Sequence, residues 1–449
     1  MHRRALIVIL TAAALVTVAV ALPRLLADRS RDWSTDSPAA RTAFQAGLDA
    51  RMRFYLADAA TSFRRAVELD PDFAAAKVQL LDLTHDSEEH QSLLAQIAGI
   101  DVSRLNEREC FLVELARAKR DHQAEITGRF LKSHPRDSWG LFIAAGQAWD
   151  HEEWETAGAL YRRLLEVDPN WVLARNNLGY MSMAQARFAE AEEQFRTYAY
   201  VAPDQANPHD SLGELLSLLG RYDEARSELE QALAIRPDFC ASYEHLIGIA
   251  IFEGKPEAIE PIAARAETHC SPAMAAALRC EGKYFAAYVA KDFTAPWREG
   301  FASCVGKPGD RGVLFYRMAL MAGEMKEVDA EEAALAKAVE DSRTAGYGRG
   351  KGRMIEAQSF HVRGLRKLYE GDPAAAAALF RSADERASFW SAGEGRLKLF
   401  NELNLALALE RSGDENDATA ERARVKAINP AFAAIFPKIA ERSPGGSRM

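Results

Sequence analysis

Between residues 206 and 239 the apolar side chains fall three and four residues apart, the spacing of one face of a helix. Leu212, Gly213 and Leu216 mark a first helix, Gly220 ends it, and a second begins near Tyr222 with Ala225, Leu229 and Ala232 on its inner face. Pro237 closes the unit, because a proline cannot continue a helix interior. The pattern then recurs at a fixed offset. Pro135, Pro169, Pro203 and Pro237 stand 34 residues apart, as do Trp154, Phe188 and Tyr222, Ala157, Ala191 and Ala225, and Leu178, Leu212 and Leu246. A period shared by prolines, aromatics, small residues and leucines is not a product of composition. It predicts stacked helix–turn–helix units, each packing only on its neighbours.

The unit 206–239 resembles the tetratricopeptide repeat consensus. The unit 172–205 matches it through Leu178, Gly179, Phe188, Ala191, Phe195 and Pro203, and 138–171 through Ala145, Trp154, Ala157, Tyr161 and Pro169. The resemblance implies an all-α fold, a right-handed α-solenoid of antiparallel helix pairs. Gly47, Ala59, Phe63, Ala66 and Pro71 hold the same offsets in an early unit, 40–73. Gly364, Gly371, Ala376, Phe380 and Ala383 do so in a late unit at 357–390, and Leu405, Ala406, Ala418 and Pro430 in another at 399–432. The expected division is a leader with linker at 1–33, an array at 34–273 that is regular over 138–239, degenerate repeats at 274–437, and a disordered tail at 438–449. Gly306–Gly312 reads as a loop and Ala345–Arg353 as a connector, since glycine this dense breaks helices.

Residues 5–22 contain no charge and precede every repeat. Eighteen uncharged, mostly apolar residues lie at the border between a signal-peptide core and a membrane-spanning helix. Export of the remaining chain is expected, as a periplasmic or extracytoplasmic protein that is anchored through 5–22 or released by cleavage after it. The flanking arginines (Arg3 and Arg4 before, Arg24, Arg29 and Arg31 after) leave a cytoplasm-facing anchored form as the alternative. Five cysteines are too few for a disulfide scaffold. Buried thiols are the first expectation, and one bridge, such as Cys270–Cys280 or Cys280–Cys304, is the alternative in an oxidising compartment.

The net charge of −9 offers no basic face for nucleic acid. His85 and His90 are five apart and on different helix faces, so no metal is expected. Gly346, Gly348, Gly350 and Gly352 fit neither phosphate-loop pattern. No nucleophile elbow or Cys–His pairing stands out, so no catalytic residue and no cofactor is expected.

The resemblance implies a concave surface lined by the first helix of each unit. Carried onto this chain, the lining is Trp139, Phe142 and Trp149, then Asn176, Asn177 and Tyr180, then Asn207, Asp210 and Glu214, then Glu244. It passes from aromatic through amide to acidic, which favours a neutral or basic extended segment over a free carboxylate. The expected function is a non-enzymatic scaffold that holds a partner protein or peptide at a bacterial cell envelope. The rivals are a cytoplasm-facing regulatory array and an accessory subunit of an envelope enzyme complex, its site in 275–355.

Overall fold

The computed structural model describes residues 33–84, 87–309, 311–344 and 349–434. The apolar segment 5–22, His85 and the tail 438–449 lie outside the described residues. Among the described residues regular structure is helical throughout, without a strand. None of their helices is long and apolar enough to cross a membrane. The chain divides into two compact units, residues 1–144 and 145–449.

The first unit holds α1 (Pro38–Met52), α2 (Leu56–Leu69), α3 (Ala74–Leu81), α4 (Ser87–Ala98), α5 (Glu107–Arg117), α6 (Arg120–Ser133) and the start of α7 (Ser138–Asp150). Pro38 opens α1, and the Ser37 side chain accepts from the Ala40 amide, which together preset and cap the first turn. Phe44 meets Phe63 and Phe73 at ring distances of 5.4 and 4.7 Å. The buried Glu109 carboxylate on α5 accepts the Ser34 amide at 3.0 Å and so ties residues 33–37 onto the unit.

The second unit continues with α8 (Trp154–Val167), α9 (Val172–Ala184), α10 (Phe188–Val201), α11 (Ala206–Leu218), α12 (Tyr222–Ile235), α13 (Ala241–Glu253) and α14 (Ile259–His269). It proceeds through α15 (Pro272–Val289), α16 (Ala295–Arg298), α17 (Gly312–Ala322), α18 (Met325–Thr344), α19 (Arg349–Glu370), α20 (Pro373–Asp384), α21 (Ala392–Arg411) and α22 (Glu415–Ile428). Two local devices repeat. The first is close approach within a pair: a Cβ on Gly213 would lie 2.7 Å from Leu229 Cγ, and one on Gly179 would lie 2.4 Å from the Phe195 ring. The second is the turn between paired helices. Glu152, Ala186, Gly220 and Gly254 all take left-handed backbone, with φ of 58, 57, 75 and 69°. The amide after each reaches back five residues, as Arg221 does to the Leu216 carbonyl at 3.0 Å and Arg187 to Ser182 at 2.8 Å. This closes the orphan carbonyls at each helix end. The 34-residue period seen in side chains is therefore also a period in backbone conformation.

Two expectations change. Arg349–Arg353 is the first turn of α19 and not part of a connector; Arg353 reaches Glu152 at 2.7 Å, which anchors that turn. The cysteines form two bridges, Cys240–Cys270 and Cys280–Cys304, and Cys110 is free. Of the pairings expected from sequence, Cys280–Cys304 forms and Cys270–Cys280 does not. Cys270 instead closes the end of α14 onto the start of α13, because the helix pair places those ends together.

Past α20 the chain doubles back. Within the second unit α21 packs on α11 and α13 as well as on its sequence neighbours. Phe389, Leu399 and Leu403 join the core of the central repeats, together with Val425 and Phe432. Leu405, Ala408 and Leu409 join the core built on α15–α20. One helix thus ties two hydrophobic cores together.

Candidate interaction groove

The repeat positions expected to face a ligand come together on α9, α11 and α13, and they are engaged with one another. Asn176 Oδ1 accepts from Ser211 Oγ at 3.0 Å and from Asn207 Nδ2 at 3.3 Å. Asn207 also donates to the Tyr198 hydroxyl at 3.2 Å. Asn177 donates to the Tyr161 hydroxyl at 2.8 Å. The Tyr180 hydroxyl donates to Glu214 Oε2 at 2.6 Å, and Ser242 Oγ donates to Asp210 Oδ1 at 2.6 Å. Asn176, Asn207, Asp210 and Glu214 are buried, which a polar side chain tolerates only when its atoms are paired. Glu244 is exposed on α13.

His245, which the repeat positions do not single out, sits among these acids, its Nε2 3.5 Å from Asp210 and 3.7 Å from Glu214. Burial opposes a charged imidazole, yet the Glu214 and Asp210 carboxylates outweigh it and raise the His245 pKa to about 9. An imidazolium thus stands between two carboxylates at neutral pH. Burial, and then the same two carboxylates, hold the Tyr180 phenol well above its usual range, so it remains a donor. The cluster fixes charge and hydrogen bonds in place.

Two of the expected groove positions, Trp149 and Glu214, are met by the chain's own segment before and into α21. The Ala392 amide at the start of α21 donates to Glu214 Oε1 at 2.6 Å. The positive end of a 20-residue helix therefore meets a buried carboxylate. Just before it, Phe389 packs edge-on against Phe188 at 5.2 Å, and Trp390 against Trp149 at 4.5 Å. A Cβ on Gly395 would lie 2.7 Å from Leu218 Cδ1, so the Leu218 side chain packs directly against the bare Gly395 backbone. Further on, Asn429 after α22 is pinned to the end of α11. Its Nδ2 donates to the Leu218 carbonyl at 3.0 Å, and its Oδ1 accepts from the Tyr222 hydroxyl at 3.1 Å.

Trp139 and Phe142 belong to the first unit. Trp139 is buried there, edge-on to Trp33 at 6.1 Å. Phe142 is half-buried. Of the ten residues expected to line a groove, Trp149 and Glu214 thus touch the internal segment, and Asn176, Tyr180, Asn207 and Asp210 form the polar floor beneath it. Phe389, Trp390 and Asn429 carry the contact from outside the repeat positions. Their only sequence signal is the pair of adjacent aromatics that ends the late unit at 357–390.

Among the described residues no group of three or more His, Cys, Asp or Glu side chains is placed to hold a metal ion.

The tetratricopeptide repeat family model matches residues 208–239, which are α11, α12 and the turn closing them. Cell division cycle protein 16 homologs of Mus musculus and Homo sapiens are each 27% identical, over 121 and 114 residues. These matches cover 25% and 23% of this chain but 19% and 18% of the relatives, so the chain spans about a fifth of their length. Among solved structures, a tetratricopeptide repeat protein from Parabacteroides merdae is 14% identical with a TM-score of 0.30, covering 83% of this chain and 99% of that one. The APC/C hetero-tetramer Cut9–Hcn1 is 13% identical with a TM-score of 0.43, covering 96% and 82%. The match at 208–239, with the shared period of turns and helix pairs around it, supports tetratricopeptide repeats in this chain, which is all-helical among the described residues.

Proposed function

We propose that this protein is a non-enzymatic interaction scaffold whose central repeats, stacked as a right-handed superhelix, hold a partner protein segment in the groove on α9, α11 and α13. The observation that carries the reading is the internal segment itself. Two adjacent aromatics, Phe389 and Trp390, followed by a helix start on Glu214, show what chemistry this face accommodates. A partner offering the same arrangement competes with residues 385–400 for the site. The floor carries Asp210 and Glu214, with one imidazolium between them, which favours a helix N-terminus or a basic residue over a carboxylate.

The scaffold works at a cell envelope in this reading, outside the cytoplasm, bound through residues 5–22 or released from them. The uncharged run 5–22 and the two disulfides support that location. The net charge of −9 speaks against a nucleic acid partner.

A labelled synthetic peptide with the sequence of residues 385–400 tests the groove in trans. The full chain with Phe389→Ala and Trp390→Ala should bind it saturably, the native chain far more weakly, and a peptide lacking both aromatics should bind neither. Equal binding to both proteins, or none to the folded variant, overturns the proposal.

A further inference from the structure

A cavity of about 600 Å³ opens in the second unit between α15, α17, α19 and α21. This is the size of small-molecule sites. Tyr284, Phe285, Phe315, Leu397 and Phe400 supply apolar wall. Polar groups break that wall, and three of their buried atoms lack a partner: the acceptors His361 Nε2 and Asn404 Oδ1, and the Tyr288 hydroxyl. His361 is 1% exposed and Asn404 is fully buried, yet His361 Nε2 and Asn404 Oδ1 have no hydrogen bond.

The surroundings fix which atoms face outward. Asn401 Nδ2 donates to the Phe380 carbonyl at 2.8 Å, so its Oδ1 is the atom facing His361 Nδ1 at 3.0 Å. His361 therefore carries its proton on Nδ1 and a lone pair on Nε2. Burial pushes the His361 pKa down to about 4, and the Arg317 guanidinium adds to that, so the ring stays neutral. Asn404 Nδ2 donates to the Phe400 carbonyl at 2.8 Å, which leaves Oδ1 as the open atom. Asn401 and Asn404 are three apart on α21 and share one face. A buried acceptor left unmet is costly, and a ligand donor removes that cost at the acceptor it meets.

Charge at the edge of the cavity narrows the ligand. Arg311, Arg317 and Arg396 line it against one carboxylate, Glu281. Arg311 pairs with Glu327 and Arg396 stands 3.8 Å from Glu281. The positive excess favours an anion, and Arg317 close to His361 disfavours an ammonium head. From these observations we infer that the cavity binds a small organic acid with an apolar body and a neutral hydroxyl donor, the hydroxyl donating to His361 Nε2 and the acid among the arginines. Because α21 forms one wall of this cavity and also lies in the interaction groove, a bound ligand would brace the helix that fills the groove. The binding itself does not depend on the scaffold reading.

Calorimetric titration of the full chain with ω-hydroxydecanoate, decanoate and decanol tests the inference. The hydroxy acid should bind at one site about tenfold more tightly than decanoate, the worth of one hydrogen bond to a buried acceptor. Decanol should bind more weakly than either acid. His361→Leu should abolish the preference for the hydroxyl, and Arg396→Gln should weaken both acids alike. If His361→Leu does not fold by circular dichroism, Ala277→Trp, at an exposed position on the rim, should block all binding without changing the unfolding curve. Equal affinity of the native chain for the two acids, no saturable binding of the hydroxy acid, or unchanged binding by Ala277→Trp overturns it.

Discussion

Asn429→Leu should release the carboxy-terminal segment from the groove while the repeats beneath it stay folded. Asn429 is fully buried and its side chain makes three hydrogen bonds, to the Leu218 carbonyl, the Tyr222 hydroxyl and the Phe432 amide at 3.0, 3.1 and 2.9 Å. Leucine has nearly the same volume, so little cavity is created, but it leaves two donors and a carbonyl without partners. At about 1–3 kcal/mol for each buried group left unmet, partly offset by about 1 kcal/mol of apolar burial, the net cost is about 3 kcal/mol. Gly220 cannot be altered to compensate, since a Cβ there would lie 2.5 Å from Asn429 Oδ1 and its φ is +75°. Repeat arrays open locally before they unfold globally. The loss should therefore appear as faster amide exchange across 385–434, by roughly a hundredfold for about 3 kcal/mol, while α8–α10 exchange as before. Hydrogen exchange followed by mass spectrometry reads this directly. Unchanged exchange at Ala392 in a folded Asn429→Leu protein would refute the reasoning, because the pin would then hold nothing.

The remaining predictions concern charge, backbone and covalent links. The His245 pKa rises from 6.5 to about 9 on folding, so its contribution is complete below about pH 6.5 and is lost as pH rises through 9; urea unfolding at a series of pH values should lose up to about 3 kcal/mol over that window in the native chain and not in His245→Gln. Ala186 takes φ of 57° at a turn where the two following repeats have glycine, so Ala186→Gly should raise stability by about 0.5–1 kcal/mol in thermal unfolding, whereas a glycine in ordinary helix would lower it. Reducing the Cys240–Cys270 and Cys280–Cys304 bridges, which close 30- and 24-residue separations, should cost about 3–4 kcal/mol each by loop entropy and lower the melting temperature of the second unit; an unchanged transition in dithiothreitol would contradict it.

Much of the fold is legible in the sequence because the repeat signals are local. Gly213 against Leu229, and Gly179 against Phe195, are small–large pairs inside one unit, and a proline closes each unit within the same 34 residues. The left-handed turns are legible at Gly220 and Gly254 but hidden at Glu152 and Ala186, where the backbone is dictated by the paired helices and not by the residue. The groove positions are legible as positions; their state is not. Nothing near Glu214 announces that Ala392, 178 residues later, will donate to it. The same holds for Tyr222 and Asn429, and for Cys240 and Cys270. These contacts depend on where the late helices return, and that path is set by long-range packing that no local period encodes.

The central claim is that the groove of the central repeats is filled by the chain's own segment at 389–396. A benzophenone side chain placed at Trp149, 4.5 Å from the Trp390 ring, tests it in the purified full chain. On irradiation the cross-linked peptide identified by mass spectrometry should contain Trp390, and its yield should fall as the competing 385–400 peptide is added in excess. Cross-links confined to α8 and α9, with none reaching residues 385–400, would contradict the account.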